Sequence, residues 1–244
     1  MLNKKQLPYV HDRTELAGYF VCDDKFNGLR PGVLMIHEFT GPGAWVNGHA
    51  DALARLGYRV LAADMYGKDV RPGSEDEASR VSRIYRNDRM RMRRRAAAGL
   101  DALVRQPGVD RGRIGAVGFS FGGCAVLELA RSGAPVQAAV SFYGYLNTPF
   151  PAAPGAVKGS VLVFHGAHDK VVPLSEISVF CEEMRLCGAD CQVRIFTGAG
   201  HGFSNPASGS DLSTGSAFCE ATHALAWGEL GSFFEACLGG DSLS

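Results

Sequence analysis

The chain has 244 residues, of which 46% are hydrophobic and 20% charged, and its formal net charge at pH 7 is zero. That length and balance fit one α/β domain over residues 1–244 with a sizeable core. The absence of a global charge excess argues against nucleic acid and anionic membranes as partners, no apolar run is long enough to span a bilayer, and Met1-Leu2-Asn3-Lys4-Lys5 lacks an apolar signal core, so a cytoplasmic protein is expected.

Leu16 to Cys22 alternates and reads as an outer strand, with a turn at Asn27-Gly28. Val33 to His37 is a continuous apolar run, as in a strand covered on both faces. A glycine-rich loop follows from Glu38 to Gly43, then a helix over Ala44–Leu56 that Gly57 ends. Tyr58 to Ala63 is the next buried strand. Ser74 caps a long helical stretch whose first turn carries Glu75, Asp76 and Glu77, where the helix dipole favours carboxylates. Its apolar period of 3.6 lapses around Asp88, which predicts two consecutive helices.

Arg113 to Val117 is a strand, Cys124 to Arg131 a helix, and Val136 to Tyr143 another buried strand. Strands over Val161–Phe164 and Gln192–Phe196 flank a helix over Ser175–Cys187, and Ser216–Leu238 reads as a closing helix. Alternating strands and helices predict a mostly parallel central sheet with helices on both faces. The seven cysteines include no C-x-x-C pair. Zinc ligation by Cys181, Cys187 and Cys191 would need a fourth ligand, so free thiols in a reducing compartment are expected.

Between one strand and the next helix stands Gly118-Phe119-Ser120-Phe121-Gly122-Gly123. Gly-x-Ser-x-Gly in that setting is the sequence form of a nucleophile elbow, a tight turn that lifts a serine hydroxyl clear of the sheet. A serine hydroxyl is a poor nucleophile at neutral pH and needs a base, which in turn needs an orienting acid. In a parallel sheet such groups gather beyond the carboxyl ends of the strands. The positions just after strands are Glu38, Ser120, Asp169 and His201. His201 sits in Gly198-Ala199-Gly200-His201-Gly202-Phe203, where it has little core to fill, and is the candidate base. Asp169 is the candidate acid, and the order Ser, Asp, His is that of the α/β-hydrolase triad.

Four stretches in this order resemble the dienelactone hydrolase family of α/β hydrolases: His37-Glu38-Phe39-Thr40-Gly41, the elbow, His165-Gly166-Ala167-His168-Asp169 with Val172-Pro173, and His201-Gly202-Phe203. The resemblance covers nearly the whole chain. It implies an α/β-hydrolase fold, with Ser120 as nucleophile, His201 as base, Asp169 as acid, and backbone N–H groups of Phe39 and Phe121 as an oxyanion hole. One such donor is worth about 3 kcal/mol in a transition state. The implied activity is hydrolysis of a small-molecule ester or lactone, with no metal or organic cofactor, by a monomer or homodimer.

Two departures stand out. The namesake enzymes carry cysteine where this chain has Ser120, and Glu38 matches the glutamate that contacts that cysteine. They also hold a substrate carboxylate partly with an arginine four residues after the histidine, where this chain has Asn205. Arg80 or Arg83 could reach the pocket as an anion clamp, while the rest of the arginine run to Arg95 reads as a solvated helical face. Phe119, Phe121, Phe142, Tyr143 and Phe203 are candidate pocket walls. Thioester or peptide hydrolysis would use the same triad, and a non-catalytic binding module on this fold is the reading from another class.

Overall fold

A computed structural model describes residues 1–239 of the chain. Among these residues, eight strands form one sheet: β1 (Leu2–His11), β2 (Thr14–Asp23), β3 (Arg30–Ile36), β4 (Arg59–Ala63), β5 (Val109–Phe119), β6 (Ala138–Phe142), β7 (Ser160–Gly166) and β8 (Cys191–Phe196). Their spatial order is β1-β2-β4-β3-β5-β6-β7-β8. β1 and β2 form an antiparallel hairpin and β2 pairs antiparallel with β4, whereas every pair from β4 to β8 is parallel. Six α-helices among the described residues complete the fold: α1 (Ala44–Arg55), α2 (Glu75–Asn87), α3 (Arg89–Val104), α4 (Phe121–Arg131), α5 (Ser175–Cys187) and α6 (Glu220–Leu238).

The period-2 alternation of strand side chains divides the core into two layers. On β3, Leu34 and Ile36 face the side that includes Met92, Ala96 and Leu100 of α3 and Val126 of α4. Val33 and Met35 face the other side, with Val46 and Leu53 of α1 and Leu230 and Phe234 of α6. Both faces of β3 to β7 are therefore covered, which is why these strands read as continuous apolar runs. No helix among the described residues is long and apolar enough to cross a membrane.

The predicted break at Asp88 is a second cap, because the Asp88 carboxylate accepts from Arg91 N at 2.8 Å and starts α3. β1 was not expected. Its lysines and Pro8 suit the outer edge of a sheet, where unpaired backbone must be guarded. The arginine run is not merely a solvated face. α3 packs on α4 and β1 and buries two of its arginines. Arg89 reaches Cys124 Sγ at 2.9 Å and Asn147 Oδ1 at 3.2 Å, and Arg95 reaches the Met65 carbonyl at 3.3 Å.

Behind the elbow, Trp45, His49, Phe119, His223 and Trp227 form one aromatic cluster. His49 Nε2 and His223 Nδ1 are buried there without a protein hydrogen-bond partner. Burial, reinforced by the neighbouring His223, pushes the His49 pKa down to about 4. A base whose folded pKa lies below its unfolded value of about 6.5 makes the unfolded state bind more protons between those limits. Its stabilising contribution is therefore complete above pH ~6.5 and is lost as the pH falls toward ~4, on the order of 2–3 kcal/mol. Thermal melts from pH 7.5 down to 4.5 should show a falling Tm, and His49→Phe should flatten that slope. An unchanged slope in the variant would show that His49 is not the group that titrates.

Candidate active site

Ser120 sits at the junction of β5 and α4 with φ 52° and ψ −110°. A non-glycine residue holds such a conformation only when its surroundings enforce it. Here the Ser120 N–H donates to the Phe142 carbonyl at 2.9 Å, and the two glycines of the motif let backbone meet backbone. A Cβ on Gly118 would stand 2.1 Å from the Gly122 oxygen, and one on Gly122 would stand 2.2 Å from the Ile36 oxygen. The second contact presses the start of α4 against the end of β3, so the loop after β3 and the free first-turn N–H groups of α4 border the same space.

His201 Nε2 lies 2.8 Å from Ser120 Oγ, and His201 Nδ1 lies 2.8 Å from Asp169 Oδ2. The histidine loop between β8 and α6 is pinned by its own backbone: His201 N donates to Gly215 O at 2.8 Å, and Ala217 N donates to His201 O at 3.1 Å. Asp169 follows β7, and its other oxygen, Oδ1, accepts from the N–H groups of Val171 and Val172, both at 2.8 Å. All three side chains are held in a nearly buried row. A hydroxyl, an imidazole and a carboxylate in this order can pass a proton from oxygen to ring nitrogen while the carboxylate fixes the tautomer.

The row opens into a cavity of about 440 Å³ whose lining includes Glu38, Phe39, Ser120, Phe121, His201 and Asn205. Phe39 and Phe121 thus stand at its wall. Glu38 is buried, and burial raises its pKa against the opposing effect of two hydrogen bonds. Those bonds come from Asn205 Nδ2 to Oε2 at 2.6 Å and from the Tyr143 hydroxyl to Oε1 at 3.0 Å.

Other expected wall residues stand elsewhere. Phe119 points to the α1 and α6 side of the sheet, because it shares a strand face with Val117, and packs at 4.8 Å against Trp45. Phe203 is fully buried against Tyr143, at 4.9 Å between ring centres. Tyr143 is itself buried; its hydroxyl holds Glu38, and its ring packs at 5.2 Å against that of His201. Arg80 and Arg83 are exposed and outside the lining. The arginine that lines the cavity is Arg86, whose guanidinium carbon lies 3.9 Å over the Tyr145 ring. Ser79, Ser82 and Arg86 lie on one face of α2 at helical spacing, and all three border the cavity. That small-polar face was the signal available in the sequence.

A model of the dienelactone hydrolase family matches residues 16–238. The chain belongs to the dienelactone hydrolase family. It is accordingly a hydrolase of esters or lactones. A carboxymethylenebutenolidase homolog from mouse (Mus musculus) is 27% identical over 156 residues, which span 63% of this chain and 62% of that protein. Among solved structures, a dienelactone hydrolase-like promiscuous phosphotriesterase from metagenomic libraries is 36% identical with a TM-score of 0.91, over 98% of this chain and 99% of that one. A dienelactone hydrolase from Anabaena variabilis, 23% identical with a TM-score of 0.71 over 97% of this chain and 99% of that one, shares the fold.

Proposed function

We propose that this family member is a serine esterase or lactonase that works through an acyl-enzyme on Ser120 and prefers acyl groups without a carboxylate. The observation that carries the reading is the row Ser120 Oγ, His201 Nε2 and Nδ1, Asp169 Oδ2, with both gaps at 2.8 Å. Ser120 Oγ attacks the carbonyl carbon as His201 Nε2 takes its proton. The oxyanion of the tetrahedral intermediate accepts from the Phe39 and Phe121 N–H groups. Its collapse expels the alkoxide, which takes the proton from His201. Water, deprotonated by the same imidazole, then attacks the acyl carbon and frees the acid and Ser120.

The substrate preference follows from Glu38 and Asn205. Asn205 carries no charge to hold a substrate carboxylate, and its amide is engaged by the Glu38 carboxyl at 2.6 Å. A carboxylated substrate would therefore meet an acceptor-rich wall near the nucleophile. Arg86 is the opposing feature, a cation on the α2 side of the same cavity. The phosphotriester activity named for the 36% identical relative suits a site that accepts neutral esters. We place the whole of residues 1–244 in one functional unit, a monomer or homodimer, and the free thiols suit a reducing cytoplasm.

Turnover on matched pairs of esters and lactones, with and without a carboxylate, tests the reading with Ser120→Ala as the blank. Ser120-dependent turnover with the neutral member favored is expected. A strong preference for the carboxylated member would overturn the substrate preference and make Arg86 a clamp. Turnover of thioesters alone would move the activity to that class, and no Ser120-dependent turnover on any pair would favour a binding role.

A further inference from the structure

The peptide that joins Glu38 to Phe39 is held from behind by a histidine that has no part in proton transfer. His37 Nδ1 lies 2.6 Å from the Glu38 carbonyl oxygen, and His37 Nε2 lies 3.2 Å from the Met65 amide nitrogen. A backbone N–H can only donate, so Nε2 carries the lone pair and Nδ1 the proton. The ring is fully buried, which pushes its pKa down to about 4 and keeps it neutral at physiological pH. His37 Nδ1–H therefore donates to the Glu38 carbonyl.

In a trans peptide the C=O and the N–H of one unit point opposite ways. Turning the Glu38 carbonyl toward the buried ring turns the Phe39 N–H away from it, toward the side where the cavity lies. The following peptide is fixed as well, because the Tyr66 hydroxyl donates to the Phe39 carbonyl at 2.7 Å. The same two rings meet the residue that bears the other donor. His37 stacks on Phe121 at 5.8 Å and 14°, and Tyr66 packs against Phe121 at 5.4 Å. The peptides on both sides of Phe39 and the first residue of α4 are thus tied into one buried aromatic unit.

We propose that His37, assisted by Tyr66, is a positioning residue that aims and polarises the Phe39 N–H as an oxyanion donor. This rests on the reading of Phe39 and Phe121 as the oxyanion hole. A donor on the carbonyl side of a peptide strengthens the N–H on the other side. A leucine at position 37 would fill similar space but leave the Met65 N–H unpaired and the Glu38 carbonyl with only the Gly41 N–H, 3.1 Å away, which explains a polar ring at the buried end of an otherwise apolar strand.

The test uses the full chain and three variants, His37→Leu, His37→Asn and Tyr66→Phe, on an ester that the wild type cleaves. For each, kcat and KM are measured beside the inhibition constants of a boronic acid, which becomes tetrahedral on Ser120, and of a planar amide analogue. Loss of a hydrogen-bond donor in an oxyanion hole costs about 100-fold or more in kcat. His37→Leu should lose about 100-fold in kcat with KM within about 2-fold, and boronate affinity should fall in parallel with kcat/KM while planar-analogue affinity holds. His37→Asn, which keeps a donor near Nδ1, should recover at least about 10-fold of that loss, and Tyr66→Phe should lose about 10-fold.

The proposal is overturned if folded His37→Leu and Tyr66→Phe keep kcat and boronate affinity within about 2-fold of wild type. It is also overturned if planar and tetrahedral ligands weaken equally, the mark of a merely structural role. If His37→Leu does not fold, His37→Asn and Tyr66→Phe decide the matter by the same criteria. Wild-type turnover that survives Ser120→Ala is a separate outcome, which removes the oxyanion-hole reading and the proposal with it.

Discussion

Ser120→Ala is expected to lower kcat by roughly 10⁵- to 10⁶-fold on any ester the protein cleaves, with little change in Tm. Removing the serine or the histidine of such a triad costs about as much as removing all three members, because they act as a unit. The side chain contributes one hydrogen bond, Oγ to His201 Nε2 at 2.8 Å, whose loss costs about 1 kcal/mol of stability. The backbone at φ 52° is as unfavourable for alanine as for serine, so no strain is released. Ser120→Gly separates the two contributions. It should be equally inactive but more stable than Ser120→Ala by on the order of 1 kcal/mol, since glycine occupies positive φ without a steric penalty. Initial rates and thermal melts on the three proteins give both results. An alanine variant within 10-fold of wild type would remove Ser120 from the mechanism.

Asp169→Asn should also be severe, with kcat lower by about 10⁴-fold and the fold intact. The size follows from how the carboxylate is held. Oδ1 accepts from two backbone N–H groups, Val171 and Val172, at 2.8 Å each, so the asparagine must keep its carbonyl oxygen there. Its NH₂ is then forced into the place of Oδ2, facing His201 Nδ1. A donor in that place makes Nδ1 the acceptor and puts the proton on Nε2, which can no longer take one from Ser120. KM should change little, because Asp169 is absent from the cavity lining. A 10-fold loss or less would mean that the imidazole keeps its tautomer without Asp169, and steady-state kinetics would show it.

The parts of the site that could be read from the sequence are those whose chemistry constrains residue type. Gly118 and Gly122 are needed because a Cβ at either would collide with backbone. Asp169 and His201 could be singled out by their places after β7 and β8, where a parallel sheet collects its functional groups. Side-chain direction was harder to read. Phe119 and Phe203 are aromatic and close in sequence to functional residues, yet they belong to the core. Which arginine of α2 meets the cavity depends on the phase of the helix, which is set by its packing and not by local sequence. Ala78, Ser82 and Tyr85 turn inward and bring Arg86 round to the cavity, while Arg80 and Arg83 face solvent.

His37 shows the same limit from another side. Its place at the end of an apolar strand is plain in the sequence, but its role depends on which ring nitrogen meets Met65, a contact across 28 residues. The edge strand β1 was invisible because its lysines and Pro8 answer to solvent exposure.

The acyl-enzyme is the step on which everything else depends, and it can be trapped directly. A slow neutral ester is mixed with excess protein, quenched in acid within the first turnover, and the digested peptides are weighed. The expected result is the mass of the acyl group on the peptide that contains Ser120, and no such adduct in Ser120→Ala. Turnover that leaves the acyl group on another residue, or that proceeds at the wild-type rate in Ser120→Ala, would contradict it.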